Sequence, residues 1–227
     1  MRGKSEETKR KLKCGQGVLG NYRPWIEVGE FGSVGTCSNP VDWITGRTVH
    51  LLSQAEANHW YILRFDQNVT DIREQFPLEK DSTTRIAERL GYSHPKHKDG
   101  TPITMTTDML VTMKDGSFTA YCVKADEKYK NNPRTMEKIK IEQTYWAERK
   151  VKFKIVTKVE LNKTMANNIR FISMFYNLDK TANYDDISIL KHLIARHMIS
   201  VDLKNSLNYP ELVQIHKKEI ETWRNQY

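Results

Sequence analysis

The chain has 227 residues, of which 38% are hydrophobic and 28% are charged, so it can form the core of one medium domain with a small appendage. This balance excludes wholesale disorder. The 36 Lys and Arg residues exceed the 28 Asp and Glu residues and give a formal net charge of +8. Such an excess suits a polyanionic partner, most commonly nucleic acid, and is equally compatible with a merely soluble basic protein.

Cysteine usage and the N-terminus bear on the cellular compartment. Cys14, Cys37 and Cys122 cannot all pair with one another and form no C-x-x-C motif, which excludes a disulfide scaffold and a zinc ribbon. We therefore expect a reducing, cytoplasmic location. No apolar run approaches the ~20 residues of a membrane span, so no membrane partner is expected. Because no apolar segment follows Met1–Lys13, residues 1–20 are predicted to be a mobile basic arm and not a secretory signal.

Apolar periodicity predicts an α/β domain over residues 21–160 and a small helical module over residues 161–227. The domain is predicted to contain, in chain order, a helix over Leu51–Phe65, a strand over Val69–Leu78, a short helix over Asp81–Gly91, strands over Thr104–Met113 and Ser117–Lys124, a helix from Asn132-Pro133 to about Lys150, and a strand over Val151–Thr157. Its main elements therefore run helix, three strands, helix, strand.

The hairpin between the two central strands decides which charged side chains share a face. With a two-residue turn, Asp108 lies opposite Val123 and faces away from Lys124. With a three-residue loop at Lys114–Gly116, Asp108 lies opposite Cys122 and shares a face with Lys124, because directly paired residues project together. A three-residue loop ends on a left-handed residue, which the glycine supplies. The sequence therefore predicts the second register.

Three charged residues occupy positions where apolar residues are expected. Glu56 shares the apolar stripe of its helix with Leu52 and Trp60, Asp108 interrupts a strand of Thr, Met, Leu and Val, and Lys124 ends an apolar run. Burying an unpaired carboxylate is unfavourable. Two carboxylates beside a lysine become tolerable when a divalent cation lies between them.

An aspartate followed across a hairpin by x-x-Lys is the arrangement of metal-dependent nucleases of the PD-(D/E)xK kind. Phosphodiester hydrolysis needs a cation that stabilises charge on the phosphate and acidifies the attacking water, and magnesium suits this role because it prefers oxygen ligands. A lysine can position that water or offset the developing charge. The motif alone is weak, since a strand aspartate bound to a nearby donor and a lysine reaching solvent at a strand end would look the same.

Several segments in order resemble TnsA, the endonuclease subunit of the heteromeric transposases of Tn-seven-like elements. The resemblance covers about Asn21 to Thr157, and IREQFPL is its most specific piece. The segments are YRPWIEV (Tyr22 to Val28), TGRTVHLLSQAE (Thr45 to Glu56), DQNVTDIREQFPL (Asp66 to Leu78), HP (His94, Pro95), MTTDMLV (Met105 to Val111), VKA (Val123 to Ala125) and RTMEKIKIEQTYW (Arg134 to Trp146).

The resemblance implies a restriction-endonuclease-like core, αβββαβ with a mixed central sheet flanked by helices, followed by a small winged-helix-like domain for partner contact. It implies a bacterial DNA endonuclease that uses Mg²⁺, with Mn²⁺ as a substitute, to cut the non-transferred strands at the 5′ ends of a transposon. The implied partners are transposon-end DNA, the transposase TnsB, which processes the 3′ ends, and the AAA+ regulator TnsC.

The family's catalytic residues fall on Glu56, Asp108 and Lys124, with Glu56 and Asp108 as metal ligands. The chain departs from the family at Cys122, where the family often has glutamine. Cysteine is a soft ligand that matches magnesium poorly, so Cys122 is a motif position and the Val123 carbonyl is the alternative ligand.

Basic residues near the predicted site are candidates for phosphate contacts, namely Lys96, Lys98, Lys128 and Lys130, although such runs are often only solvated faces. Glu74 could reach the metal, but a structural salt bridge is the stronger interpretation. In the C-terminal module, helical apolar stripes indicate a small core or a docking face that Trp223 and Tyr227 would anchor.

Two other functions remain open from the sequence. Because of Cys122, the chain could be a catalytically weak assembly factor that bridges TnsB and TnsC. A stand-alone restriction or junction-resolving nuclease is a third possibility, which free activity without a transposase would favour.

Overall fold

The computed structural model describes residues 3–30, 36–179 and 182–226. The chain divides into two compact units: the first contains residues up to Trp60 and Asp66–Leu161, and the second contains Tyr61–Phe65 together with the residues from Asn162 onward. Within the described ranges, no helix is both long and apolar enough to cross a bilayer.

The first unit is a four-stranded mixed sheet with helices around it, as predicted. Strand order is β1-β2-β3-β4; β1–β2 and β2–β3 are antiparallel, and β3–β4 is parallel. A parallel pair needs a long crossover, which α4 provides. The elements are α1 (Glu6–Lys11), α2 (Gln54–Phe65), β1 (Val69–Pro77), α3 (Lys80–Arg89), β2 (Thr106–Met113), β3 (Phe118–Lys124), α4 (Pro133–Glu148) and β4 (Lys152–Thr157), with 3-10 helices at Leu19–Asn21 and Glu127–Asn131.

The hairpin register predicted from the loop length is confirmed. Met109 pairs with Tyr121 and Thr112 with Phe118. The Met113 amide donates to the Ser117 carbonyl at 2.8 Å, which closes a three-residue loop. Gly116 ends that loop at φ +82°, a backbone conformation that side chains with a Cβ rarely adopt.

The crossover helix α4 begins as predicted and covers one face of the sheet. The Asn132 side chain accepts a hydrogen bond from the Thr135 amide at 3.0 Å, and proline follows at the first helical position. The helix buries apolar side chains against β2, β3 and α3, forming a core that contains Leu78, Ile86, Ala87, Leu110, Ala120, Ile141, Tyr145 and Trp146. Burial of this apolar area is the main force that holds α4 to the sheet.

The N-terminal stretch differs from the predicted mobile arm, since its described part forms α1 and docks on the first unit. Lys9 is only 3% exposed, and its ammonium donates to the Trp25 carbonyl at 2.6 Å and pairs with Glu30 at 2.6 Å. Glu6 accepts the Thr104 amide at 2.9 Å. These partners are remote in sequence, so composition gave no sign of them.

The second unit is helical, as expected, and no strand occurs among its described residues. It contains α5 (Lys163–Ser173), α6 (Asp186–Ala195), α7 (Tyr209–Ile215) and α8 (Lys217–Gln226). Trp223 is 7% exposed and meets the His192 ring edge-on at 5.4 Å, so it is a core residue and the prediction that it anchors a partner is wrong. Tyr227, its predicted companion, lies outside the described residues.

Candidate active site

Glu56 lies at the start of α2, where the backbone holds its carboxylate in place. The Ser53 hydroxyl accepts the Glu56 amide at 3.1 Å and donates to Oε1 at 3.0 Å, while Oε2 accepts the Leu52 amide at 3.0 Å. This exchange resembles a capping box, except that Glu56 reaches back to the Leu52 amide and not to the amide of Ser53. The carboxylate is 7% exposed and therefore fixed and almost dry.

Burial and the charge of Asp108 raise the pKa of Glu56 from 4.5 to about 7, against the opposing effect of its hydrogen-bond donors. The second cause places the Asp108 carboxylate within electrostatic range of Glu56, although the two residues come from different elements. A buried carboxylate whose pKa is raised by a neighbouring carboxylate favours a cation between the two.

Asp108 binds the next strand through its side chain. The ladder between β2 and β3 ends at Met109–Tyr121, one residue short of Asp108. There the Asp108 carboxylate accepts the Val123 amide through Oδ2 at 2.7 Å. The side chain thus supplies the acceptor that a backbone carbonyl supplies elsewhere in the ladder, and this holds it beside the residue that precedes Lys124.

Lys124 ends β3 next to the same carboxylate. Burial lowers the pKa of its ammonium, but Asp108 and the adjacent Cys122 raise it more strongly, and the pKa lies above its ordinary value. Lys124 therefore stays charged at neutral pH. A permanently charged ammonium can offset negative charge or orient a water, but it does not accept a proton.

Cys122 lies on the same strand but is poorly suited to bind a hard cation. Its side chain is 2% exposed, and burial together with the charges of Glu142 and Asp108 raises the pKa of the thiol far above its ordinary value. A thiol must lose its proton to ligate a metal, so the protonated Cys122 is a weak candidate. Val123 pairs with Val156 of β4, which fixes the backbone at the alternative ligand position.

Glu142 of α4 is a buried acid at this site that the sequence analysis missed. Burial and the charge of Asp108 raise its pKa to about 8, and Oε1 accepts the Thr107 hydroxyl at 2.6 Å. The Trp146 indole in turn donates to that hydroxyl at 2.7 Å. The sequence signal for Glu142 is the same as for Glu56: an acid at helical spacing from apolar residues, here Tyr145 and Trp146.

Gln75 is the second missed residue. It is 2% exposed, and its amide donates to Oε2 of Glu56 at 3.2 Å. Its φ angle is +48°, in the middle of β1. Glutamine in a strand carries no sequence signal for such a conformation.

Glu74 belongs to a structural ion pair, which was the stronger of its two interpretations. Its carboxylate is fully buried and receives both guanidinium nitrogens of Arg47, at 2.7 and 2.5 Å. The His50 amide also donates to it at 3.0 Å. All these donors lie outside the acidic site.

The lysines predicted to contact phosphates are exposed, as such contacts require; they are Lys96, Lys98, Lys128 and Lys130. Lys130 forms an ion pair with Glu127 of its own 3-10 helix. His94 in the neighbouring loop is instead buried, with one ring nitrogen 3.0 Å from the Thr83 hydroxyl and the other 2.9 Å from the Pro95 carbonyl. It is therefore a structural residue.

The site fits a cation that needs few protein ligands. Across residues 3–30, 36–179 and 182–226, no cluster of three or more His, Cys, Asp or Glu side chains is arranged to hold a metal. Magnesium commonly takes one or two carboxylates and keeps several waters, which matches Glu56 and Asp108. The raised pKa of Glu56 is the observation that favours a cation there.

A mixed sheet with two acids and a lysine at the open end of its hairpin defines the restriction-endonuclease-like class. Comparison with known proteins narrows this class to a family. Residues 66–158 match the family model described as TnsA-like endonuclease N terminal. The chain is 36% identical over 159 residues to the transposon Tn7 transposition protein TnsA of Escherichia coli, covering 70% of this chain and 58% of the relative.

The chain thus contains a TnsA-like endonuclease domain, as the sequence segments indicated. It spans less than two thirds of the length of the curated relative that it matches.

Proposed function

We propose that the chain is a metal-dependent DNA endonuclease that cuts the 5′, non-transferred strands at transposon ends during DNA transposition. The observation that supports this proposal is the electrostatic influence of Asp108 on both Glu56 and Lys124, inside a TnsA-like domain. Two acids beside a cationic amine are the minimum set for metal-assisted phosphodiester hydrolysis.

Glu56 and Asp108 would hold the ion, Mg²⁺ or Mn²⁺, and neither needs to act as a proton donor. The bound ion supplies charge stabilisation to the phosphate and acidifies the attacking water. The Lys124 ammonium offsets the charge that develops on the phosphate oxygens, since its raised pKa keeps it protonated. Asp108 is held ready by the Val123 amide, and Glu56 by the N-terminus of α2.

The partners in this proposal are transposon-end DNA, the transposase TnsB and the regulator TnsC. The exposed lysines around residues 96–98 and 128–130 support a phosphate contact. Apolar side chains exposed on the second unit support a protein contact there, namely Phe171, Met174, Met198 and Ile215. The net charge of +8 agrees with a polyanionic substrate.

The test is strand-resolved cleavage of a labelled transposon end with Mg²⁺, Mn²⁺ or a chelator, with and without TnsB. We expect 5′-strand cuts that need the ion and disappear in Asp108→Asn. The matched control Asp99→Asn, in an exposed loop, retains activity. Cleavage that survives chelation, or cuts on the transferred strand alone, would contradict the proposal.

Cys122 favours a second candidate, a catalytically weak assembly factor that bridges TnsB and TnsC. The protonated thiol occupies a position where an oxygen ligand is usual in the family. The variant Cys122→Gln separates the two functions in the same assay. Strong cleavage by the unmodified chain supports the endonuclease, whereas cleavage only after the substitution supports the bridging role.

A further inference from the structure

We propose that Gln75 is a positioning residue, whose strained backbone aims its amide at Glu56 so that the carboxylate is held in the metal-binding orientation. This inference rests on the proposed metal-dependent function and extends it to the residue behind the ligand. It starts from two observations that coincide at one position, a left-handed backbone inside a strand and a side-chain contact to the acid.

The backbone at Gln75 is unusual for its place in the fold. Glu74 and Phe76 pair with Met109 and Thr107, so the count places Gln75 opposite Asp108. A φ of +48° in the middle of a paired strand is costly for a residue with a Cβ. Such conformations persist only where the surroundings enforce them, and they concentrate at functional sites.

The enforcing contacts come from the segment that precedes the sheet. The Tyr22 hydroxyl donates to the Glu74 carbonyl at 2.8 Å, and the Trp25 amide donates to the Gln75 carbonyl at 3.2 Å. The side chain of Glu74 is itself held by Arg47. The backbone on both sides of the strained φ is thus fixed, which gives the YRPWIEV segment a role in shaping the site.

The side chain is oriented at both ends of its amide. Nε2 donates to Oε2 of Glu56 at 3.2 Å, while Oε1 accepts the Thr106 hydroxyl at 3.2 Å. The opposite amide orientation would place an oxygen against the ionised carboxylate, which only accepts hydrogen bonds. The carboxylate therefore selects the orientation of the Gln75 amide, and the Thr106 hydroxyl secures it by donating to the amide oxygen.

In this arrangement one carboxylate oxygen of Glu56 accepts more hydrogen bonds than the other. Oε2 receives both the Leu52 amide and the Gln75 amide, whereas Oε1 receives only the Ser53 hydroxyl. A carboxylate that is hydrogen-bonded in this way is held in one orientation and cannot rotate freely. Outer contacts of this kind typically change metal affinity by about 10- to 100-fold when removed.

The experiment measures Mn²⁺ binding to the full chain by titration calorimetry, with the Mn²⁺ spin-resonance signal as a second readout. Gln75→Gly relieves the strained backbone and removes the amide, and Gln75→Met keeps the side-chain volume without a donor. Both are expected to weaken Mn²⁺ binding by about 10- to 100-fold while the chain remains folded by circular dichroism.

Two matched controls separate positioning from structure. Lys150→Gly relieves a comparable left-handed residue, φ +56°, at the end of α4 and is expected to bind Mn²⁺ as the unmodified chain does. Thr106→Ser keeps the hydroxyl and is expected to match the unmodified chain, whereas Thr106→Val weakens binding. Loss of binding in Thr106→Ser would overturn the orienting role.

Unchanged Mn²⁺ affinity in both Gln75 variants, with Glu56→Ala still losing it, would overturn this inference and leave the proposed function standing. If the unmodified chain and Glu56→Ala bind Mn²⁺ equally, the metal site itself is wrong and both proposals fall. If both Gln75 variants, Thr106→Val and Glu56→Ala lose affinity while Lys150→Gly and Thr106→Ser retain it, the positioning role is supported.

Discussion

Replacing Glu56 by glutamine is expected to raise the free energy of unfolding of the metal-free protein more at pH 8 than at pH 4.5. Its folded-state pKa of about 7 exceeds the ordinary value of 4.5, so the folded chain retains a proton that the unfolded chain releases between these values. The contribution of Glu56 to stability is therefore lost as pH rises from 4.5 to 7 and is constant above that range. The difference corresponds to about 3 kcal/mol, which Glu56→Gln removes.

Glutamine can occupy this position without leaving a donor unpaired. Its carbonyl would take the Leu52 and Gln75 amides that now share Oε2, and its amide would face the Ser53 hydroxyl, which can turn to accept. The substitution therefore tests the charge and not the packing.

The assay is urea denaturation with a chelator at pH 4.5 and pH 8, compared between the unmodified chain and Glu56→Gln. Glu88→Gln, at an exposed position on α3, is the matched control and is expected to show no pH-dependent gain. Adding Mn²⁺ at pH 8 should stabilise the unmodified chain and not Glu56→Gln. Identical pH dependence in the two proteins would refute the claim that Glu56 carries an unfavourable buried charge.

Three further variants test the rest of the site. Lys124→Ala should abolish 5′-strand cleavage while partner assembly, measured by co-purification, persists; retained cleavage would remove Lys124 from its role. Cys122→Ala should keep Mn²⁺ affinity within about threefold by calorimetry, because a protonated thiol contributes no ligand, and a large loss would show that it does. Arg47→Met should lower the free energy of unfolding by about 3–5 kcal/mol in urea titrations, since it leaves the Glu74 carboxylate buried and unpaired; a change below about 1 kcal/mol would show that water reaches it.

Local signals explain what the sequence predicted well. The hairpin register follows from three consecutive residues that end on glycine, and the start of α4 follows from asparagine before proline. The positions of Glu56 and Asp108 follow from charges placed on otherwise apolar periodic elements. Each of these features is decided within a few residues, so a sequence pattern is enough to find it.

Features decided by remote contacts escaped prediction. The strained φ of Gln75 depends on Tyr22 and Trp25, some 50 residues upstream, and the burial of Lys9 depends on Trp25 and Glu30. Glu142 is different, because its helical spacing from Tyr145 and Trp146 is a local sequence signal of the kind that identifies Glu56.

The bond between Asp108 and the Val123 amide bears on how loss-of-function variants should be interpreted. The Asp108 side chain both joins the two strands and presents negative charge to the reaction, so truncating it to alanine frays the open end of the hairpin as well as removing the charge. Asparagine keeps an oxygen that can still accept the amide, and glutamate shifts the acceptor outward by one methylene. A chain with this construction has little freedom to exchange its central acid, even for the nearest chemical relative.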